Sequence, residues 1–252
     1  MNEVSFFDDL LNKDSAAKHI QQGSEAWDQI RCGRFTASEM YLLMDSGKRE
    51  MTPEELKARP KTGVGSSAKL TVDHSKFSAA GETYINRKVA ETLTGRIQES
   101  SYAFPLVYGK DMEGEAAAHF ENVTGLETFE VGFQPFGDHA GGSPDRFVEE
   151  HDGLEIKCPY TSEKQIEYLM LSDAWDLKRC FPQIYWQIMS NLLFTGKKRW
   201  HLITYDPRFK EEKLKMTHLV IEPNPAEFDL ICVKLEKAVE EKLKMIQRLT
   251  HQ

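Results

Sequence analysis

The sequence predicts an α/β protein in which a mixed central sheet is flanked by helices. Three observations carry that expectation. Two strand patterns joined by a tight turn lie between residues 138 and 160. Two more strand patterns cover 199–205 and 215–221. Amphipathic helical patterns precede, separate and follow them. No linker divides the 252 residues, so a single domain over 1–252 is expected.

In chain order, 24–44 reads as helical with an interruption near Gly33. Thr36-Ala37-Ser38-Glu39 has the form of a capping box, which predicts a helix starting at Ala37. The stretch 46–75 differs in kind. Lys48, Arg49, Lys57, Arg59, Lys61 and Lys69 stand there among Gly47, Pro53, Pro60, Gly63 and Gly65, with weak periodicity. It reads as a mobile basic loop, either a solvated surface or an arm that follows a DNA backbone. Helices are predicted over 82–93 and 110–123, the second with the apolar row Met112, Ala116, Phe120 and Val123. A strand over 128–133 leads to the hairpin, in which 138–149 runs out, His151-Asp152-Gly153 turns and 154–160 returns. Helices over 162–171 and 182–193 follow, the second with Pro182 at the tolerated first position. Asn224, Pro225 and Glu227 then sign a last helix by cap, first position and capping box. Its row Phe228, Ile231, Leu235 and Ala238 predicts packing on a sheet.

Composition excludes several classes. No run of eighteen apolar residues and no charged-then-apolar start supports a membrane span or a secretory signal. The cysteines Cys32, Cys158, Cys180 and Cys232 are scattered without a C-x-x-C pair, which argues against zinc or an iron–sulfur cluster and fits a reducing cytoplasm. The net charge of -8 stands against a protein that coats a duplex, because phosphate neutralisation needs basic groups. Any DNA-binding surface must therefore be a local basic patch.

The chemistry concentrates in the hairpin. Along a strand Glu155 and Lys157 share one face, while Leu154, Ile156 and Cys158 take the other. An acid and a base are thereby aimed together, ten residues beyond the Gly-Gly-Ser-Pro-Asp turn that carries Asp145. Taken alone, Glu-x-Lys is an ordinary pair on an exposed strand. The rigid turn upstream brings a second carboxylate to the same point, and one or two carboxylates with waters are what a hard divalent cation needs. Glu113 follows Met112 on a helix whose near neighbours are Ala116, Ala117 and Phe120, so its charge needs either a cation or Lys110 as partner. Upstream, Arg31 and Arg34 flank the expected helix start at Ala37, where unpaired N–H groups and a hydroxyl suit an anion. A plain cap with the arginines paired to Asp28 or Glu39 is the alternative. On the helix over 182–193, Gln183, Gln187, Ser190 and Asn191 form a polar row that periodicity reads as a solvent face.

Gly142-Ser143-Pro144-Asp145 with Gly153-Leu154-Glu155-Ile156-Lys157-Cys158-Pro159 resembles the PD-(D/E)XK restriction-endonuclease-like core. The form is that of phage lambda-type exonucleases and the YqaJ-type viral recombinases. Further elements match in the family's order. WDQIRCGRFTASEM (Trp27 to Met40) resembles its W…R-x-G…T-A-S-E element, Tyr108-Gly109-Lys110 with Glu113 its G-x-x-x-E helix, and Thr204-Tyr205-Asp206-Pro207-Arg208 its Y-D-P-R strand end. Together these span roughly residues 23 to 208.

The resemblance implies a Mg²⁺-dependent nuclease, with Mn²⁺ as a substitute, that degrades one strand of duplex DNA from its 5′ end and leaves 3′ overhangs. Asp145, Glu155 and the Ile156 backbone carbonyl would be inner ligands, with Glu113 for a second cation. Lys157 would orient or deprotonate the attacking water. Arg31, Ser38 and Ser143 would grip the 5′-phosphate. The family's Q-x-Q pair carries over only at Gln187, because its second position is Met189 here. A ring-shaped homotrimer, a single-strand annealing protein as partner and a place in the host cytoplasm are implied as well. An endonuclease or junction resolvase on the same core, and a non-catalytic DNA-binding module, are the competing expectations.

Overall fold

The computed structural model describes residues 20, 22–58, 70–97 and 104–251. The first half holds α1 (Glu25–Arg31), β1 (Phe35–Thr36), a 3-10 turn (Ala37–Glu39), α2 (Tyr41–Met44), β2 (Ser46–Glu50), α3 (Pro53–Ala58), β3 (Leu70–Phe77) and α4 (Ala79–Thr94). Next come α5 (Phe104–Thr124), β4 (Thr128–Glu130), β5 (Gln134–Phe136), β6 (Ala140–Gly142), β7 (Arg146–Val148) and β8 (Asp152–Lys157). The chain continues through α6 (Ser162–Leu169), α7 (Ala174–Cys180), α8 (Pro182–Thr195), β9 (Arg199–Tyr205), α9 (Glu212–Lys215), β10 (Met216–Ile221) and α10 (Pro225–Thr250).

The main sheet has the order β10-β9-β8-β7-β4. Only β8 and β9 run parallel within it, with Glu155 beside Leu202 and Lys157 beside Thr204, so the sheet is mixed as expected. One face is covered by α5. There Ala116, Ala117 and Phe120 pack on Val148, Leu154, Ile156, Ile203 and Tyr205. The opposite core is larger and joins α8 to Phe35, Met40, Tyr84, Trp200, Leu202 and the apolar row of α10. The period-2 alternation of β8 is therefore real: Leu154 and Ile156 serve one core while Glu155 and Lys157 turn toward the other side.

Several expectations are corrected. The segment 138–149 is not one strand. β6 belongs to a small sheet of order β1-β6-β5, β7 belongs to the main sheet, and Ser143-Pro144-Asp145 bridges the two. The hairpin turns earlier than expected, at Glu149 (φ 45°), and Asp152 and Gly153 already lie in β8. The ends of the expected loop 46–75 form an antiparallel pair, β2 with β3, and part of its interior is α3. Residues 59–69 lie outside the described residues. The expected helix from Ala37 is a three-residue 3-10 turn that the Thr36 side chain does not cap, its hydroxyl turning to Ser38 and Tyr84, while Glu39 pairs with Arg87 instead of reaching back. The last helix does start at Pro225, with the Asn224 side chain accepting from Ala226 N–H. Its Glu227, however, pairs with Lys178, and the helix packs chiefly on α4, α2 and α8 rather than on a sheet. Val123 is exposed, so the α5 row ends at Phe120. α7, capped by Asp173, is too short to leave a periodic signal.

Candidate active site

Asp145 stands where the chain leaves the small sheet and enters the large one. Its Oδ2 accepts the Ile156 N–H at 2.7 Å, which pins the acid against β8. Glu155 is fully buried, and its Oε1 lies 2.5 Å from Lys157 Nζ. Glu155 Oε2 is buried with no partner among the described residues. Glu113, half-buried on α5, shares a cleft with Asp145, Ile156, Lys110 and Arg146. Among the described residues no ion pair joins Glu113 to Lys110, so the plain salt-bridge alternative is not formed.

The electrostatics follow from three acids facing one lysine. Burial, and then the charge of Asp145, push the Glu113 carboxyl up to about 7. Burial and Asp145 push Glu155 up to about 8 against the pull of Lys157. Asp145 is raised by burial, opposed by Lys157 and by the Ile156 N–H. Burial alone would lower the Lys157 ammonium, but the Glu155 and Asp145 carboxylates outweigh it and hold it above the usual lysine range.

Asp145 and Glu113 open to one cleft, while Glu155 leans toward Lys157. Among the described residues no three His, Cys, Asp or Glu side chains converge as a ready cage. A hard divalent cation does not require one, since one or two carboxylates with waters suffice. The orphaned Glu155 oxygen and the surplus of acids fit such a cation.

The residues of the expected anion pocket come together from distant segments. Arg31, Ser38, Ser143 and Gln187 line one small cavity together with Gln22, Trp27 and Asn191. Arg31 stacks on Trp27, its guanidinium carbon 3.7 Å from a ring centroid, and Trp27 Nε1 donates to Ser143 Oγ at 2.9 Å. Among the described residues no ion pair joins Arg31 or Arg34 to Asp28 or Glu39. Glu39 is taken by Arg87 at 2.5 Å, and Arg34 donates to the Gly137 carbonyl at 2.6 Å. The 3-10 turn at Ala37 is too short to act as a helix N-terminus, so the pocket rests on side chains rather than on a helix dipole. Arg31, Ser38 and Gln187 also line a larger cleft with Lys157 and Tyr168, so the pocket and Lys157 share one opening.

A second buried charge cluster holds the turn behind Arg31. Gly33 takes the left-handed conformation (φ 74°). Its N–H donates to Glu91 Oε2 at 2.9 Å, and its carbonyl accepts from Lys242 Nζ at 2.6 Å. Lys88 Nζ bonds both Glu91 oxygens, at 3.1 and 2.9 Å. The Y-D-P-R strand end is a brace of similar kind. Arg208 grips Asp206 through two bonds of 2.7 and 2.9 Å and donates to the Tyr160 and Pro159 carbonyls, fixing the exit of β8 beyond Lys157.

Sequence reasoning missed Gln22, whose Nε2 donates to the Pro144 carbonyl at 2.8 Å and which lines both the pocket and the Glu113 cleft. It also misjudged the polar row of α8. Ser190 and Asn191 are fully buried, and only Gln183 is exposed. Met189 is packed in the core, so the second position of the Q-x-Q pair offers the site nothing.

The YqaJ-like viral recombinase domain matches residues 26–198. The chain belongs to that family. Among solved structures, an alkaline exonuclease (LHK-Exo) from Laribacter hongkongensis is similar at 22% identity and TM-score 0.68, over 90% of this chain and 97% of that one. The same protein in complex with dAMP matches equally well. A phage related exonuclease from Haemophilus somnus 129PT is similar at 10% identity and TM-score 0.62, over 86% of this chain and 96% of that one. No curated protein matches by sequence. The expectations of a PD-(D/E)XK fold and of a nuclease family are both borne out. No helix among the described residues is long and apolar enough to cross a membrane.

Proposed function

We propose that this nuclease is a Mg²⁺-dependent exonuclease that degrades one strand of duplex DNA from its 5′ end and leaves 3′ single-stranded overhangs. One observation carries the reading: Arg31, Ser38, Ser143 and Gln187, far apart in sequence, line one pocket that opens toward Lys157. A cationic and hydroxyl-lined pocket beside a reactive corner suits a strand end that carries a phosphate. The dAMP held by the Laribacter enzyme is of the kind such a cut releases.

Asp145, Glu155 and the Ile156 carbonyl would hold the cation, with Glu113 for a second, and Mn²⁺ would substitute. When bound, Mg²⁺ stabilises charge on the phosphoryl oxygens and lowers the pKa of a water. The chain's own groups do the rest. Arg31, Ser38 and Ser143 hold the terminal phosphate and so set which bond meets the acids. Lys157, kept as an ammonium beside Glu155, orients the attacking water. Water adds to phosphorus, the bond to the 3′-oxygen of the terminal nucleotide breaks, and that oxygen takes a proton. A nucleoside 5′-monophosphate leaves, and the shortened strand again carries a 5′-phosphate for the pocket. A homotrimer around the duplex, a single-strand annealing protein that takes up the overhang, and action in the host cytoplasm complete the reading.

End-labelled linear duplex, with and without 5′-phosphate, tested beside covalently closed circles, checks this directly. Preference for phosphorylated ends in Mg²⁺ is expected. Circles cut as fast as phosphorylated linear DNA would make the protein an endonuclease.

A further inference from the structure

Asn191 is fully buried on α8, and neither its Oδ1 nor its Nδ2 has a partner among the described residues. A buried amide left unsatisfied is costly unless a ligand or water completes it. Its surroundings give it a direction. Asn191 lines the small pocket with Arg31, Ser38, Ser143 and Gln187, one helical turn beyond Gln187. The wall opposite is Gly142, where a Cβ would stand 2.1 Å from Asn191 Oδ1, so only a glycine leaves the amide its place. The last residue of β6 is thus kept bare directly against this side chain.

We propose that Asn191 contacts the terminal phosphate and reads its third free oxygen. This rests on the reading of the pocket as a 5′-phosphate site. A phosphomonoester carries three terminal oxygens, whereas a diester carries two. The planar Arg31 fork suits two of them. The Asn191 Nδ2 donor, a neutral group behind the cation, suits the oxygen that an internal or esterified phosphate lacks. The pocket then distinguishes a true strand end from the backbone, beyond merely attracting negative charge.

The test uses duplexes ending in 5′-phosphate, 5′-phosphate methyl ester or 5′-hydroxyl. Full-length wild type is compared with Asn191→Leu, which keeps the branched outline of the side chain without its polar atoms, and with Gly142→Ala, whose methyl displaces the amide. Wild type is expected to prefer phosphate over methyl ester. Asn191→Leu is expected to lose roughly five- to tenfold of that preference, the share of one neutral hydrogen bond. It should still prefer methyl ester over hydroxyl through Arg31, and its thermal midpoint should be unchanged or raised, since an unsatisfied amide is gone. Gly142→Ala should shift the preference the same way, and Asn191→Ser replaces Asn191→Leu if the latter does not fold. A folded variant with the wild-type ratio of phosphate to methyl ester overturns the role of Asn191 and leaves the end-recognition reading standing. Wild type that treats phosphate and methyl ester alike overturns it too. Wild type indifferent between phosphate and hydroxyl brings down the end-recognition reading itself, and this inference with it.

Discussion

Two buried clusters of charge among the described residues are built on opposite principles. Around Gly33, Lys88 and Lys242 surround Glu91, and the three side chains bond each other or the Gly33 backbone. Around Asp145, three acids face Lys157, one Glu155 oxygen has no partner among the described residues, and the Glu113 and Glu155 carboxyls are pushed up to about 7 and about 8. Burial and shifted pKa values are common to both. What separates them is the unpaired remainder. The first cluster is complete and braces the turn that presents Arg31, whereas the second keeps an acid oxygen that the proposed cation would engage.

The largest effects should come from the incomplete cluster. Asp145→Ala or Glu155→Ala is expected to abolish cleavage while the protein remains folded, as circular dichroism would show. A folded Asp145→Ala enzyme with near wild-type turnover would refute the site. Lys157→Ala should lose several orders of magnitude in turnover with DNA binding largely kept, as read by single-turnover kinetics beside binding titrations.

The complete cluster should respond in stability instead. Glu91→Gln leaves Lys88 and Lys242 buried without their counter-charge, a loss on the order of 3–5 kcal/mol for breaking a buried pair. Chemical denaturation measures it. Equal stability of Glu91→Gln and wild type would erase the contrast between the two clusters.

Arg31→Ala, or removal of the 5′-phosphate, should slow degradation by about tenfold, and the two changes should not add because each deletes the same contact. Full additivity in the double comparison would move the phosphate elsewhere.

The smallest effect is a pH dependence. Burial, then Lys88 and Arg34, lower Lys242 to about 8 against the pull of Glu91 and Cys32. Its folded pKa lies below the ordinary lysine value, so the unfolded chain binds more protons between the two, and stability contributed here rises with pH across that window. Lys242→Met should remove this rise, as seen by comparing the thermal midpoints of both proteins from pH 8 to 10.

Much of this was legible in the sequence because strands and long helices leave periodic traces. The alternation of Leu154 to Lys157 follows from period two, and Asp145 and Arg31 stand out through the motifs that resemble the family's. Capping boxes were less reliable, since Glu39 and Glu227 found cationic partners from other elements, Arg87 and Lys178, that no local pattern reveals. The β2–β3 pair escaped because charged edge strands lack an apolar face. Asn191 escaped for a subtler reason: periodicity separates polar from apolar faces but cannot tell a face turned to water from one turned to a closed pocket.

Calorimetric titration of Mg²⁺ into wild type and Asp145→Asn tests most directly whether the unpaired remainder marks a cation site. Wild type is predicted to bind the ion, Asp145→Asn to lose that binding while remaining folded, and Lys242→Met, altered in the other cluster, to bind as wild type does. Equal binding by wild type and Asp145→Asn, or none by wild type, would contradict the account.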